Sequence, residues 1–118
     1  MSDQNIQAVR DFYGAIRGKN FEAIRDRITD DVVWDVPGPP NIPFAGRRFG
    51  RDGVHDYFHL LTTILDVDII EPREFVAEGD TVVAIGHFRG FIRASGREAG
   101  SDFAAIWRVR RMRSGSRP

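Results

Sequence analysis

The sequence predicts an α+β fold, with helices in its first half and a long antiparallel β-meander in its second. Two observations predict it. Apolar residues recur at helical spacing over residues 5–17 and again over 52–65. Residues 69–109 then read as three long strands broken by two turn signals, Glu78-Gly79-Asp80-Thr81 and Ala94-Ser95-Gly96-Arg97. Helices first and strands last is the order that places helices against one side of a sheet.

In chain order, Ile6, Val9, Tyr13 and Ile16, with Phe12 beside them, form one apolar stripe on a helix from about Asn5 to Arg17, which Gly18-Lys19 ends. Asn20 is placed to cap a short second helix carrying Phe21, Ile24 and Ile28. The β-branched and aromatic run Val32-Val33-Trp34-Asp35-Val36 reads as a strand stopped by Pro37 and Gly38. Four prolines (Pro37, Pro39, Pro40, Pro43) make residues 37–49 a stiff, extended surface loop. A third helix follows from about Asp52 to Leu65, with Val54, Tyr57, Phe58, Leu61, Ile64 and Leu65 on one face.

If both turns of the meander are two-residue hairpins, Phe75 faces Ala84, Arg73 faces Gly86, Glu71 faces Phe88, Ala105 faces Gly86 and Trp107 faces Ala84. One surface then collects Phe75, Ala77, Val82, Ala84, Gly86, Phe88, Phe103, Ala105, Trp107 and Val109, large groups beside small ones, fit for a core or a lined hollow. Gly86 and Gly90 within the central strand mark bending or a close approach. His87 points to the opposite side with Val83, Ile85 and Arg89, a half-apolar row suited to a subunit interface.

At 118 residues the chain makes one domain, and its hydrophobic share of 42% with 29% charged residues is that of a globular protein. With no cysteine, thiolate chemistry and disulfides are excluded, and a reducing cytoplasm fits. Residues 1–5 lack the basic and apolar runs of a signal peptide, and no apolar stretch is long enough for a bilayer, so no membrane role is expected. Five of the 17 basic residues (Arg108, Arg110, Arg111, Arg113, Arg117) lie at the end, where there is no acid, leaving 12 basic against 17 acidic groups before them. An acidic body argues against nucleic acid, and residues 111–118 read as a solvated, disordered basic tail.

Three constellations are candidates for chemistry. Asp35, between Trp34 and Val36, would make a base if its neighbours desolvate it; an outward-facing residue paired with arginine is the alternative. Glu71 and Arg73 fall on the apolar face by register, where they could position a water or hold a carbonyl; a solvated rim pair is the alternative, and Pro72 between them threatens the register. His55-Asp56-x-x-His59 approaches the spacing of a helical zinc site, but both histidines fall on the exposed flank and no third ligand is placed, so no metal is expected. No phosphate-binding glycine loop or nucleophile elbow is present.

The order of elements resembles the nuclear transport factor 2-like superfamily, and within it the SnoaL-like and ketosteroid isomerase-like bacterial proteins. The residues that carry the resemblance are Val9-Arg10-Asp11-Phe12-Tyr13, Asp31-Val32-Val33-Trp34-Asp35-Val36-Pro37-Gly38-Pro39, Pro43-Phe44-Ala45-Gly46, Phe75-Val76-Ala77-Glu78-Gly79-Asp80-Thr81-Val82-Val83 and Trp107-Arg108-Val109-Arg110. It spans about residues 4–110 and implies a cone: a curved sheet wrapped around the long first helix, enclosing a deep apolar pocket. The resemblance implies that Tyr13, Trp34, Val36, Phe58, Phe75, Phe88, Phe103, Ala105 and Trp107 line the pocket, with Phe44 near its mouth. It further implies a small apolar ligand, a dimer through the outer sheet face, and cofactor-free acid–base chemistry of the isomerase, hydratase, epoxide hydrolase or cyclase kind. A non-catalytic binding or dimerisation module of the same fold is the alternative. The isomerase's tyrosine and two aspartates fall on Phe12, Val36 and Ala105, so that mechanism is not matched. Relatives continue past Val109 with a further strand, whereas no apolar alternation is read in residues 111–118, so the strand ending at Val109 is expected to be an exposed edge or to be covered by a partner chain.

Overall fold

The computed structural model describes residues 2–109. The elements are α1 (Ser2–Arg17), α2 (Phe21–Asp26), β1 (Val33–Val36), β2 (Gly46–Phe49), α3 (Gly50–Ile64), β3 (Leu65–Glu78), β4 (Thr81–Ile92) and β5 (Glu98–Arg108). Among the described residues no helix is long and apolar enough to cross a membrane. The basic tail lies outside them.

The stripe read on α1 is the side it buries, through Val9, Phe12, Tyr13 and Ala15. Lys19 then takes a left-handed φ of 54°, which ends the helix and turns the chain into α2. Asn20 caps α2 as expected, its Oδ1 accepting from the Ala23 N–H at 3.1 Å. At its other end α1 buries Asn5, whose Nδ2 donates to the Gly79 carbonyl at 2.9 Å, tying the helix start to the β3–β4 turn.

The stretch expected to be loop throughout residues 37–49 contains a strand. β2 pairs antiparallel with β1, placing Trp34 opposite Arg48 and Asp35 opposite Arg47. The prolines end at Pro43, so residues 46–49 keep the backbone donors that a ladder needs. The third helix also starts earlier than expected, at Gly50, whose φ of 75° makes the corner out of β2.

β3, β4 and β5 form one antiparallel sheet in that order, with β5 at an edge. The first turn is as read: Glu78 pairs with Thr81, Phe75 with Ala84, and Gly79 leads the turn at φ 58°. Beyond Glu74 the register departs from expectation. A bulge lies between Pro72 and Glu74, where proline cannot donate to the ladder, and from there Pro72 faces Gly86 and Glu71 faces His87 instead of Phe88. Glu71 therefore moves to the outer face. Gly86 is required at this point, since a Cβ there would lie 2.2 Å from the Glu71 carbonyl oxygen. A second bulge, between Val67 and Ile69, faces Gly90.

The second turn is longer than two residues. Its loop is closed by Ile92 N–H to Arg97 O at 2.8 Å, and Gly96 sits at φ 73°. Trp107 consequently faces Val82, and Ala105 faces Ala84. A shift of two residues keeps every side chain on its face. Val82 and Ala84 are fully buried against α1, so the meander turns inward the side that the pattern predicted.

α1 packs on both flanks. Phe12 and Ala15 meet Ile24, Ile28, Val54 and Phe58 from α2, its C-terminal connection and α3, while Val9 and Tyr13 meet Val82 and Ala84 of the sheet. Trp107 touches both groups.

Candidate functional site

Where the two halves of the core meet, rings from four elements converge. Trp107 of β5 lies 4.8 Å from Phe12, 5.8 Å from Tyr13 and 5.5 Å from Trp34 between ring centroids. Trp34 of β1 in turn meets Tyr57 at 5.4 Å and Phe58 at 5.5 Å, both on α3. Phe103 stacks on Tyr13 at 5.8 Å. This hub is held by the large area that aromatic side chains bury and by their edge and tilted contacts.

Several polar groups are sealed into it. The Trp107 indole N–H donates to the Tyr13 hydroxyl at 3.3 Å. Burial raises the Tyr13 phenol above its ordinary pKa, and the indole bond partly opposes this. Burial pushes the Tyr57 phenol up to about 12, with Arg48 opposing the shift and Tyr13 adding to it. Both phenols therefore stay protonated at neutral pH and can donate. Two further buried nitrogens, Trp34 Nε1 and Arg48 Nε, have no partner among the described residues. Arg48 otherwise donates through Nη2 to the Pro43 carbonyl at 3.4 Å, and Phe44 on the same loop lies 6.4 Å from the Tyr57 ring. What converges here is a set of hydrogen-bond donors inside an aromatic wall.

The model of the SnoaL-like domain matches residues 9–113. This chain belongs to the SnoaL-like family. Its fold is that of the nuclear transport factor 2-like superfamily, as solved structures show. A nuclear transport factor 2-like protein of unknown function from Burkholderia pseudomallei is 28% identical, with a TM-score of 0.83 over 93% of this chain and 83% of that one. One from Burkholderia xenovorans is 25% identical, with a TM-score of 0.81 over 93% and 82%. TerC, crystallised with polyporic acid, is 30% identical, with a TM-score of 0.80 over 90% and 82%. No curated protein matches the chain.

In this SnoaL-like protein, Tyr13, Trp34, Phe58, Phe103 and Trp107 meet in the hub. Val36 and Ala105 are half-buried, Ala105 opposite Ala84. Phe75 also faces Ala84, and the Arg10 guanidinium lies 4.4 Å over its ring. Phe88 lies farther along β4, opposite Ile70. Neighbouring rings of the hub lie 4.8–5.8 Å apart between centroids. A hollow of about 490 Å³ lies elsewhere, between α1, α2 and the β3 bulge, lined by polar groups including Arg10, Asp11, Arg17 and Arg27.

The carboxylate candidates are outside the hub. Asp35 faces solvent and pairs with Arg47 Nη2 at 3.3 Å, because strand alternation that turns Trp34 inward turns its neighbour out. Glu71 and Arg73 pair with each other at 3.0 Å, both more than half exposed; the bulge at Pro72 removed Glu71 from the apolar face. His55 and His59 stack at 6.4 Å on the exposed side of α3, and among the described residues no group of three potential ligands forms a metal site.

Sequence reasoning missed two polar members of this cluster. Tyr57 was visible as part of the apolar face of α3, but nothing marked its hydroxyl as buried among donors. Arg48 was hidden because only its pairing with Trp34 places it inside, and the strand that makes this pairing carries no apolar alternation.

Proposed function

We propose that this protein binds a small apolar molecule against the aromatic hub and polarises a carbonyl or enol oxygen on it by hydrogen-bond donation. The single observation that carries this is the buried Tyr13 hydroxyl, bonded to Trp107 and surrounded by the rings of Phe12, Phe103 and Trp107. Donors held in a water-poor site favour charge that develops on oxygen, which is the common step of isomerisation, dehydration and ring closure next to a carbonyl. That a relative was crystallised with polyporic acid supports a small organic ligand. The chemistry proposed needs no cofactor.

One observation favours a second reading, a binding module without turnover. Among the described residues, the three carboxylate and guanidinium candidates for acid–base work all lie outside the hub. Two measurements separate the readings. Apolar carbonyl compounds and epoxides are screened for thermal stabilisation, since a ligand of the native state raises stability by mass action. Compounds that stabilise are then followed for conversion. Stabilisation with conversion supports catalysis, stabilisation alone supports the module, and no stabilisation by any compound defeats ligand binding.

The partner proposed is a second copy of the chain through the outer face of the sheet. Val76, Val83 and Ile106 form one cross-strand row there, with Ile85 beside it, and Val76 and Ile106 are 59% and 68% exposed. An exposed apolar row on a sheet face is suited to self-association about a twofold axis.

A further inference from the structure

We propose that Arg48, Trp34 and Tyr57 form a receptor for an anionic oxygen, a carboxylate or enolate borne by a flat aromatic molecule. This deepens the ligand-binding reading above and rests on it.

The arginines of this chain supply the contrast. Arg25, Arg27, Arg47, Arg51, Arg73, Arg89 and Arg93 each pair with a carboxylate, and Arg10, Arg17, Arg97 and Arg108, which form no ion pair among the described residues, are exposed. Arg48 forms no ion pair among the described residues, although it is better shielded from water than its neighbour Arg47, which pairs with Asp35 on the other face of the strand. A shielded guanidinium without a counter-charge is costly, and a group that brings the missing negative charge gains what the protein has left unspent.

Its surroundings fit that group. Arg48 and Trp34 are direct cross-strand partners, so their side chains leave the same face of the β1–β2 ribbon side by side. Each carries a buried N–H with no acceptor, Arg48 at Nε and Trp34 at Nε1. The Tyr57 ring packs on Trp34 at 5.4 Å, and burial keeps its phenol protonated against the opposing pull of Arg48. Three donors, one of them cationic, thus stand together against a single acceptor, the Pro43 carbonyl, at the long distance of 3.4 Å. A guanidinium with an indole and a phenol beside it matches two oxygens of a carboxylate or one enolate oxygen with its neighbour. The flat walls offered by Trp34, Tyr57, Phe58 and Phe44 select a planar body behind that oxygen.

The way in is the proline-rich loop. Its hold on the site is the Arg48–Pro43 bond and the edge contact of Phe44 on Tyr57, while two backbone bonds within it, Ile42 to Pro39 and Ala45 to Ile42, keep its own shape. An entering oxygen takes over the Arg48 donors from the Pro43 carbonyl.

The test uses 2-naphthoate and 2-naphthamide, alike in shape and different in charge, titrated calorimetrically into the wild-type chain, Arg48→Met and Trp34→Phe. Wild type is expected to bind naphthoate at least about tenfold more tightly than the amide. Arg48→Met is expected to lose that preference while keeping its affinity for the amide, and Trp34→Phe, which retains the ring and drops the N–H, to weaken naphthoate several-fold. Should Arg48→Met fail to fold by circular dichroism, the Trp34→Phe result decides. Equal affinity of wild type for both probes, or equal loss of both in the folded variants, overturns the anion receptor and leaves the apolar site standing. Binding of neither probe by wild type overturns the receptor and the ligand-binding reading together.

Discussion

Tyr13 and Trp107, separated by 94 residues, share the hydrogen bond that joins α1 to β5. The bond closes the domain on itself. Tyr13 belongs to the half of the core that faces the sheet, and Trp107 packs against both halves, so this pair couples the helical and β portions of the fold.

Removing the Tyr13 hydroxyl with Tyr13→Phe leaves the Trp107 N–H buried without an acceptor, at a cost of about 1–3 kcal/mol in unfolding free energy. Trp107→Phe costs more, because it also opens space among Phe12, Tyr13 and Trp34. In the Trp107→Phe background, Tyr13→Phe is expected to be milder, since the unpaired donor is gone, giving a coupling of about 1 kcal/mol. Urea unfolding of the four proteins measures it, and strict additivity would show that the pair is merely adjacent.

Tyr57 gives the fold an alkaline limit. Its native pKa, about 12, lies above the ordinary phenol value of 10.0, so the native state binds this proton more tightly than the unfolded chain does. The associated stability is complete below pH 10 and is lost as pH rises from 10 towards about 12, a total of roughly 3 kcal/mol. Tyr57→Phe is expected to flatten that decline. Both tyrosines of the chain are shifted upward, so the native protein should show little tyrosinate absorbance at pH 10. A tyrosinate signal of half the total at that pH, with the fold intact, would mean that the phenols are solvated.

The same residues show how much of this was legible beforehand. The inward side of the meander could be read, because alternation of period two and glycine-bearing turns encode which face is apolar, and a two-residue change in loop length leaves that face unaltered. The position of Glu71 could not be read, because the extra residue Arg73 reverses the facing of residues 69–72, until the second bulge between Val67 and Ile69 restores it. Short-range pattern carries no sign of that event beyond the proline itself. Arg48 was hidden for a related reason: its environment is set by pairing with Trp34 of β1, and its own strand, Gly-Arg-Arg-Phe, reads as loop. The hub was legible as a list of rings and illegible as an arrangement of donors.

Gly86 is predicted to be intolerant of any side chain. A methyl group there would meet the Glu71 carbonyl oxygen at 2.2 Å, the Pro72 Cα at 2.8 Å and the Phe103 ring at 2.9 Å, two of them backbone atoms that cannot step aside. Gly86→Ala is expected to cost about 3 kcal/mol or more, at the upper end for overpacking. Gly79→Ala is the comparison, since its Cβ would meet nothing within 4 Å and only the positive φ of 58° opposes it, at about 1 kcal/mol. Melting temperatures of the two variants rank the effects. Equal losses would show that the bulge relaxes around the added methyl.

The outer face of the sheet makes a prediction about assembly. The apolar row Val76–Val83–Ile106 is bordered on one side by Glu78, Thr81 and Arg108, and on the other, beyond Glu74, Ile85 and Ala104, by Glu71, His87 and Asp102. Charged rows on both sides of an apolar band fix where two copies can overlap, because a twofold axis through the band sets one border against the other. Arg108 would then approach the acidic border of the second copy. Ile106→Lys places a charge in the middle of the band, at a residue 68% exposed in the single chain, so folding should be almost unaffected. Sedimentation is expected to find a dimer for the wild-type chain and a monomer for Ile106→Lys, with unchanged circular dichroism. If the wild type sediments as a monomer at tens of micromolar, the band is not an interface between copies and its exposure needs another cause.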